Sequence, residues 1–180
     1  MKVLLTGAFG NVGSNVLQSL IEQKHSVTCF DIKTKATAKT AKRFQDKVDI
    51  IWGDLRRTDD VVKAVKDRDV VVHLAFIIPP ASEQKPDWAK EINVGGTKNL
   101  VSALKSLPHP PKLVFSSSIT VYGVTADKEP PRRCSDPICA SDYYTGHKIE
   151  CERMVRESGL TWTILRFGAV PLLADEPLEQ

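Results

Sequence analysis

The sequence has little of several features that mark specialised classes of protein. Its four cysteines show neither the CxxC spacing of a metal site nor the density of a disulfide framework. The formal net charge is only +3, which gives little reason to expect nucleic-acid binding. We therefore expect reduced thiols, no metal site and no nucleic-acid partner.

Long apolar runs are also missing from the sequence. The apolar part of the opening MKVLLTGAFG is too short for a signal peptide, and no later run is long enough to span a bilayer. Internal repeats and low-complexity segments are absent as well. These absences predict a cytoplasmic protein with no membrane partner.

The sequence does contain the alternation of an α/β protein. Short apolar runs rich in β-branched residues alternate with longer amphipathic or polar segments. This alternation predicts a Rossmann-type, doubly wound parallel sheet of about six strands with helices on both faces. The expected strands are 2–6, 26–31, 48–52, 69–74, 112–116 and 161–166, and the clearest expected helices are 11–24, 58–66, 85–107 and 141–158.

A glycine-rich turn, TGAFGNVG, follows the first expected strand. Gly7, Gly10 and Gly13 have the spacing GxxGxxG and open a helix. In this pattern the glycines permit a tight turn, the approach of a pyrophosphate and close helix–strand packing, and the helix N-terminus offers N–H groups to the phosphates. A merely tight turn would not require all three glycines, so the turn predicts dinucleotide binding. The other candidates in this turn are Phe9, Asn11 and Val12.

Asp31 ends the second strand and predicts which dinucleotide binds. Ligands of open parallel sheets bind at the carboxyl ends of the strands, where a carboxylate accepts hydrogen bonds from ribose hydroxyls and repels a 2′-phosphate. Asp31 therefore favours NAD over NADP. Lys33 and Lys35 leave NADP open, and a cap or turn aspartate is the alternative for Asp31.

The third and fourth strands end in further candidates for the cofactor site. Asp54 is placed to accept from an adenine amino group with Leu55 beside the ring, although Asp54 could equally be a turn or N-cap residue. We interpret His73 as a hydrogen-bonded residue beneath the end of the sheet, and Ala75 as small enough to let a cofactor cross the strand. Leu74 and Phe76 flank Ala75, and the segment 76–82 is expected to face the substrate.

Several motifs occur in order along nearly the whole chain: TGAFGNVG, DL, HLA, NVGGTKNLVSA, FSSSITVYG, a Tyr-x-x-x-Lys pair and LRFGAVP. Together they resemble the extended short-chain dehydrogenase/reductase family of NAD-dependent epimerase/dehydratase type. The resemblance implies an NAD-dependent oxidoreductase or epimerase acting on a sugar or nucleotide-sugar. A dehydratase is least favoured, because SSSIT carries no carboxylate. The alternatives are a non-catalytic dinucleotide-binding or redox-sensing module, and a structural domain that retains a fossil cofactor site.

Two adjacent tyrosines lie in the segment SDYYTGHKIEC, and helical spacing chooses between them. Tyr144 has Lys148 one turn later on the same face, whereas Tyr143 has His147 there. A nearby ammonium favours the phenolate, so Lys148 is expected to bring the pKa of Tyr144 toward neutral. Tyr144 is therefore the predicted proton-transfer group. An ordinary helix tyrosine beside a snorkelling lysine is the alternative.

The resemblance also implies roles for other residues. Lys148 would bind the nicotinamide ribose next to Tyr144, and Ser118 would hydrogen-bond the substrate oxygen. Asn93 would contact the cofactor side, with a local cap or turn role as its alternative, and Phe167 would line the nicotinamide. Ser116 is a further cofactor candidate, although Ser116 and Ser117 are expected to be mainly structural.

The resemblance also sets expectations for the whole chain. We predict a dinucleotide-binding domain over 1–170 and a tail over 171–180 that begins a missing substrate lobe. Related proteins commonly pair through helices equivalent to 85–107 and 141–158. The segments VGGTKNLVSAL and IECERMV offer apolar positions beyond those needed to cover the sheet, so a homodimer is predicted.

Overall fold

In the computed structural model, which describes residues 1–124, 131–168 and 170, six parallel strands form one sheet. Their spatial order, β3-β2-β1-β4-β5-β6, is that of the doubly wound dinucleotide-binding fold. The predicted fold class is confirmed, and the predicted tail 171–180 lies outside the described residues. The strands are β1 (Lys2–Thr6), β2 (Ser26–Asp31), β3 (Asp49–Trp52), β4 (Val70–His73), β5 (Lys112–Ser118) and β6 (Trp162–Phe167).

Helices cover both faces of the sheet, as its alternating side chains require. The helices are α1 (Asn11–Glu22), α2 (Lys35–Ala41), α3 (Thr58–Ala64), α4 (Ala81–Gln84), α5 (Pro86–Lys90), α6 (Gly96–Lys105) and α7 (Tyr143–Arg156). On one face Leu4 and Phe115 pack with residues of α3, α6 and α7, and on the other Leu5 and Cys29 pack with residues of α1 and α2.

The helix predicted over 85–107 is divided in the structure. Pro86 begins α5, because proline at the first helical position has the right φ and needs no intrahelical acceptor. A π-helical segment, Glu91–Gly95, then joins α5 to α6. Such segments are uncommon and often lie at functional sites, and this one carries Asn93.

Three features of the described part of the chain concern disulfides, membrane-spanning helices and metal sites. All four cysteines are free. None of the described helices has the length and apolar character needed to cross a membrane. In the same residues, no cluster of three or more His, Cys, Asp or Glu side chains is placed to hold a metal.

Candidate active site

A cleft lies along the carboxyl ends of the strands, where the order of the sheet reverses between β1 and β4. It has two halves of about 370 Å³ and about 420 Å³ that share part of their walls. The 420 Å³ half, beside β2 and β3, is called the adenosine half here. The 370 Å³ half, beside β5 and α7, is called the nicotinamide half. The shared wall consists of Gly7, Gly10, Leu74 and Phe76.

The glycine turn forms the floor between the two halves. Gly7 has a φ of +66°, and a side-chain Cβ there would lie 2.7 Å from the Ala75 backbone, so only glycine fits. A Cβ on Gly13 would clash with the carbonyl oxygen of Gly7. Gly10 is the N-cap of α1 and has no side chain to cap the helix, so the first-turn N–H groups of Asn11 and Val12 are left for a ligand.

Asp31 lies at the end of β2 in the wall of the adenosine half. Its carboxylate accepts from the N–H groups of Phe9 at 2.9 Å and Ile32 at 2.8 Å. Burial raises the pKa of Asp31, and these two hydrogen bonds oppose the rise. Asp31 thus fixes the glycine turn and still borders the cleft, where a ribose could donate to its remaining lone pairs.

Asp54 and Leu55 also line the adenosine half, with Ala75 opposite them. The Asp54 carboxylate pairs with the Arg56 guanidinium at 2.6 Å, and this hydrogen bond is the main reason that the pKa of Asp54 is lowered. Leu55 is buried and packs on Gly96, where a Cβ would lie 2.8 Å from the leucine. Leu55 thus gives the wall an apolar surface, and the Asp54–Arg56 ion pair lies beside it.

Sequence reasoning missed part of the adenosine half. Trp88 and Ile92 approach it from α5 and the π-helical segment. Ile32 and Thr34 come from the turn after β2, and Thr37 comes from the first turn of α2. The sequence did contain a pattern that could have identified Trp88 and Ile92, because residues four apart lie on one face of a helix. The β2 turn gave no comparable periodic signal.

The nicotinamide half holds the three predicted catalytic residues. Ser118, Tyr144 and Lys148 all line it, together with Phe167 and Ser116. Tyr143, in contrast, is 56% exposed on the outer face of α7. The structure therefore brings the predicted trio together on one wall, and the assignment of catalytic roles to them stays a prediction.

Lys148 is buried and surrounded by aromatic rings. Its Nζ donates to the Ser116 carbonyl oxygen at 2.5 Å and lies 3.5 Å from the centroid of Phe76 and 5.0 Å from that of Phe115. Ring faces attract cations at such distances. Burial nevertheless lowers the pKa of Lys148 to about 7.

The expected effect of Lys148 on Tyr144 is wrong for this chain on its own. The pKa of Tyr144 is raised, chiefly by burial, while a hydrogen bond with Ser118 opposes the rise. The Lys148 Nζ lies 5.7 Å from the Tyr144 ring centroid and is directed to Ser116 and Phe76. Burial therefore outweighs the neighbouring ammonium, and the phenol stays protonated at neutral pH.

Two residues predicted to contact the cofactor do not line the cleft, and their contacts with a cofactor stay predictions. The Phe9 side chain is buried against Trp52, with ring centroids 5.4 Å apart, and its N–H is bound to Asp31. Asn93 is fully buried, and its amide accepts from the Ile77 N–H at 2.6 Å and donates to the Ile77 carbonyl at 2.9 Å. Neither residue is part of the wall of either half, and the Asn93 amide binds the backbone of Ile77, 16 residues away in sequence, instead of capping a local turn.

The interpretation of His73 is confirmed, and Ser116 and Ser117 have the structural bonds expected of them. His73 is buried with Thr6 on one ring nitrogen at 2.7 Å and Thr97 on the other at 3.1 Å. Ser116 donates to the His73 carbonyl at 3.1 Å, and Ser117 donates to Glu152 at 2.6 Å. These bonds fix the end of β5 directly before Ser118.

Comparison with known proteins decides the family. The model of the "NAD dependent epimerase/dehydratase family" matches residues 3–170. The chain belongs to this family. The predicted resemblance is therefore confirmed, and relatives with several activities can be compared with the chain.

The relatives include epimerases and a dehydrogenase. The chain is 30% identical over 178 residues to a UDP-glucose 4-epimerase of Lactobacillus helveticus, in a match that covers 93% of the chain and 51% of that protein. It is 29% identical over 163 residues to a 3-beta-hydroxysteroid dehydrogenase of Mycolicibacterium neoaurum, with 86% and 42% covered. The chain thus spans about half the length of the curated relatives it matches, or less.

Solved structures agree with this placement. The UDP-glucose 4-epimerase of Thermus thermophilus, solved as a complex with NAD, has a TM-score of 0.80 and 26% sequence identity, and the match covers 92% of this chain and 54% of that one. The likeness extends through the strands and helices that form the cleft of this family member.

Proposed function

We propose that this family member binds NAD and takes part in hydride transfer at a secondary alcohol or ketone of a sugar or nucleotide-sugar. One observation carries the proposal. Ser118, Tyr144 and Lys148 line the same cleft whose floor is the glycine turn and whose far wall ends in Asp31. Nucleotide-sugar epimerases among the relatives support the substrate class.

The residues present fit NAD. The first turn of α1 has N–H groups for a pyrophosphate beside Gly10, where the nearest atom to an added Cβ is 3.4 Å away. Asp31 would hold the adenosine ribose, Leu55 and Trp88 the adenine, and Lys148 the second ribose. When bound, NAD supplies the hydride acceptor and donor that the protein lacks.

The chain's own residues would orient the substrate and move its proton. Ser118 and Tyr144 would hold a substrate oxygen by hydrogen bonds. Because Tyr144 is protonated at neutral pH in this chain, it is equipped first to give a proton to a carbonyl oxygen. To accept a proton from a substrate alcohol, Tyr144 must first be in its phenolate form. This requires a lower pKa than burial gives Tyr144 in this chain.

The homodimer stays a prediction with reduced support. The apolar residues of α6, including Leu100, Val101 and Leu104, are buried in the core of their own chain. The exposed positions of α6 are polar, and the aliphatic residues Ile149 and Met154 of α7 are half-buried. A single monomer mass at all concentrations in sedimentation would contradict the dimer. Localisation in the cytoplasm likewise stays a prediction.

Cofactor binding gives the first test of this proposal. We expect calorimetry to show tighter binding of NAD than of NADP. Asp31→Ala should weaken NAD binding by at least about tenfold, since a hydrogen bond to a charged carboxylate is worth about 1.5–3 kcal/mol, and should narrow the preference for NAD over NADP. Asp46→Ala, at an exposed aspartate before β3, is the control. Equal wild-type affinities for the two cofactors would contradict the assignment of Asp31.

A further inference from the structure

The N-terminus of α7 is capped by a carboxylate from another element. Glu83 of α4 accepts from the Tyr144 N–H at 3.0 Å and from the Tyr143 N–H at 3.2 Å. Asp142, the N-cap residue, accepts from the Thr145 N–H at 2.7 Å. Two carboxylates therefore take up the first three N–H groups of the helix, which have no acceptor within it.

The contribution of Glu83 is electrostatic as well as geometric. The first turn of α7 has no acidic residue of its own. The positive end of the helix dipole is therefore stabilised by the Glu83 carboxylate of α4 as well as by the N-cap Asp142, through charge-assisted hydrogen bonds. One of these bonds is made to the backbone of Tyr144 itself, whose hydroxyl bonds Ser118.

Glu83 also belongs to a segment that faces the nicotinamide half. At the start of this segment the Phe76 ring meets the Tyr144 ring edge-on at 5.8 Å. The backbone of the next residue, Ile77, is bound by Asn93, whose amide lies 3.3 Å from a ring nitrogen of His147 in α7. The 76–83 segment is thus connected to α7 at its start, directly and through Asn93, and at its end through Glu83.

We propose that Glu83 is a positioning residue for Tyr144. Its carboxylate fixes the backbone of Tyr144 and joins it to the 76–83 segment, so that a ligand that moves this segment also moves Tyr144. The inference rests on the proposed function, because it concerns the group to which that function assigns proton transfer.

Variants of the full chain distinguish the positioning of Tyr144 by Glu83 from the effect of losing any negative charge near α7. Glu83→Gln keeps the size of the side chain but replaces one acceptor oxygen with an NH2 group, and Glu83→Ala removes both acceptors. Asp87→Asn is the matched control, because Asp87 borders the same polar cleft between α5 and α7, while the two tyrosine amides are taken up by Glu83. Labelling the three tyrosines at the amide nitrogen and at Cζ makes each visible by NMR.

In both Glu83 variants we expect the Tyr144 amide to exchange with water at least about tenfold faster, since a charge-assisted bond is lost. The Tyr144 phenol should titrate at lower pH, because burial is the main cause of its raised pKa and a loosened helix end exposes the ring. Sugar-dependent kcat should fall about tenfold, while the Kd for NAD stays within about twofold. Tyr122 and the Asp87→Asn protein should keep the wild-type values.

Unchanged Tyr144 exchange and titration in Glu83→Gln would overturn the proposal, as would equal losses in Asp87→Asn. If the wild-type chain turns over no sugar, the proposed function fails, and the two NMR measurements still decide whether Glu83 positions Tyr144. A fall in NAD affinity as large as the fall in kcat would assign Glu83 to the cofactor site instead.

Discussion

Among single residues, Lys148 is the one whose burial has the clearest consequence for stability. Its side chain is 2% exposed, and the pKa is lowered from 10.5 to about 7 because the charged form is desolvated. Between these two values the unfolded chain binds a proton that the folded chain does not. The free energy of unfolding therefore rises with pH in this window, by at most about 1.4 kcal/mol per pH unit.

The pH dependence of stability tests this account of Lys148. The pKa values of Cys29 and Cys151 are raised by burial to about 12 and about 11, so these thiols oppose the rise above their ordinary 9.0. We therefore expect urea unfolding to show increasing stability from pH 7 to 9, and Lys148→Met to remove most of that increase. Lys98→Met, at an exposed position of α6, should retain it. Identical slopes in the two variants would show that Lys148 is charged in the folded chain.

The two tyrosines offer a second test at the residue scale. Tyr144→Phe should reduce sugar-dependent formation of the reduced cofactor by about a hundredfold or more, because only the proton-transfer group is lost. NAD affinity should stay nearly unchanged. Tyr143→Phe should have a mild effect, because that side chain is 56% exposed outside the cleft. Absorbance of the reduced cofactor measures the turnover of both variants. A larger loss in Tyr143→Phe than in Tyr144→Phe would refute the choice of Tyr144 by its spacing to Lys148.

The positions of candidate residues in the cleft were predictable where they depend on local sequence, and their roles stay predictions. Asp31 follows from the end of a strand, and Tyr144 follows from the spacing to Lys148 along one helix. The pKa of Tyr144 did not follow, because it depends on burial by Phe76 and other residues distant in sequence. The role of Asn93 also depends on a distant partner, the backbone of Ile77.

At the scale of elements, a buried ion pair joins α7 to the last two strands. Glu152 of α7 is 1% exposed and accepts from Arg166 of β6 at 2.8 and 2.9 Å. It also accepts from Ser117 of β5 at 2.6 Å. Arg166 in turn donates to the Tyr122 hydroxyl at 2.8 Å. These bonds hold the strand ends that carry Ser118 and Phe167 against the helix that carries Tyr144.

Breaking this network should be costly. Glu152→Gln leaves Arg166 as a buried charge without its carboxylate, and we expect a loss of about 3–5 kcal/mol in the free energy of unfolding. Glu150→Gln is the control on the same helix, where the pair with Lys90 is 3.7 Å long and largely exposed, so its loss should stay below about 1 kcal/mol. Chemical denaturation measures both. Equal small losses would mean that the Arg166 charge finds another partner.

The expected elements were least accurate between β4 and β5. The apolar pattern of 85–107 predicted one helix, whereas the chain forms α5, a π-helical segment and α6. The periodicity of apolar residues predicts which face of a helix is buried, but it does not predict the extra residue of a π turn. Asn93 lies in this π-helical segment and donates to the Ile77 carbonyl, a contact that the pattern alone could not reveal.

For the whole molecule, sheet order was predictable because strand–helix alternation allows few right-handed topologies. The two halves of the cleft are about equally open to solvent, and they are bordered by different elements. The adenosine half has walls from β1–β4, α5 and the π-helical segment. On the substrate side of the nicotinamide half, Ile78 is 59% and Ile119 52% exposed. The alignment with the Lactobacillus helveticus epimerase leaves about half of that protein unmatched.

The exposed border of the nicotinamide half predicts that cofactor binding and turnover separate in a polypeptide of these 180 residues. NAD should bind measurably, because Gly10, Asp31 and Leu55 lie on rigid strand ends and a helix N-terminus. Sugar substrates should show high KM and slow turnover, because an open site keeps water around each polar contact. A chimera that appends the unmatched half of the Lactobacillus helveticus epimerase should gain kcat/KM at least about tenfold, with NAD affinity changed less than about threefold. Calorimetry and steady-state kinetics with UDP-sugars measure the two quantities. Efficient, saturable turnover by the chain without that addition would show that Ser118, Tyr144 and the 76–83 segment suffice without further enclosure.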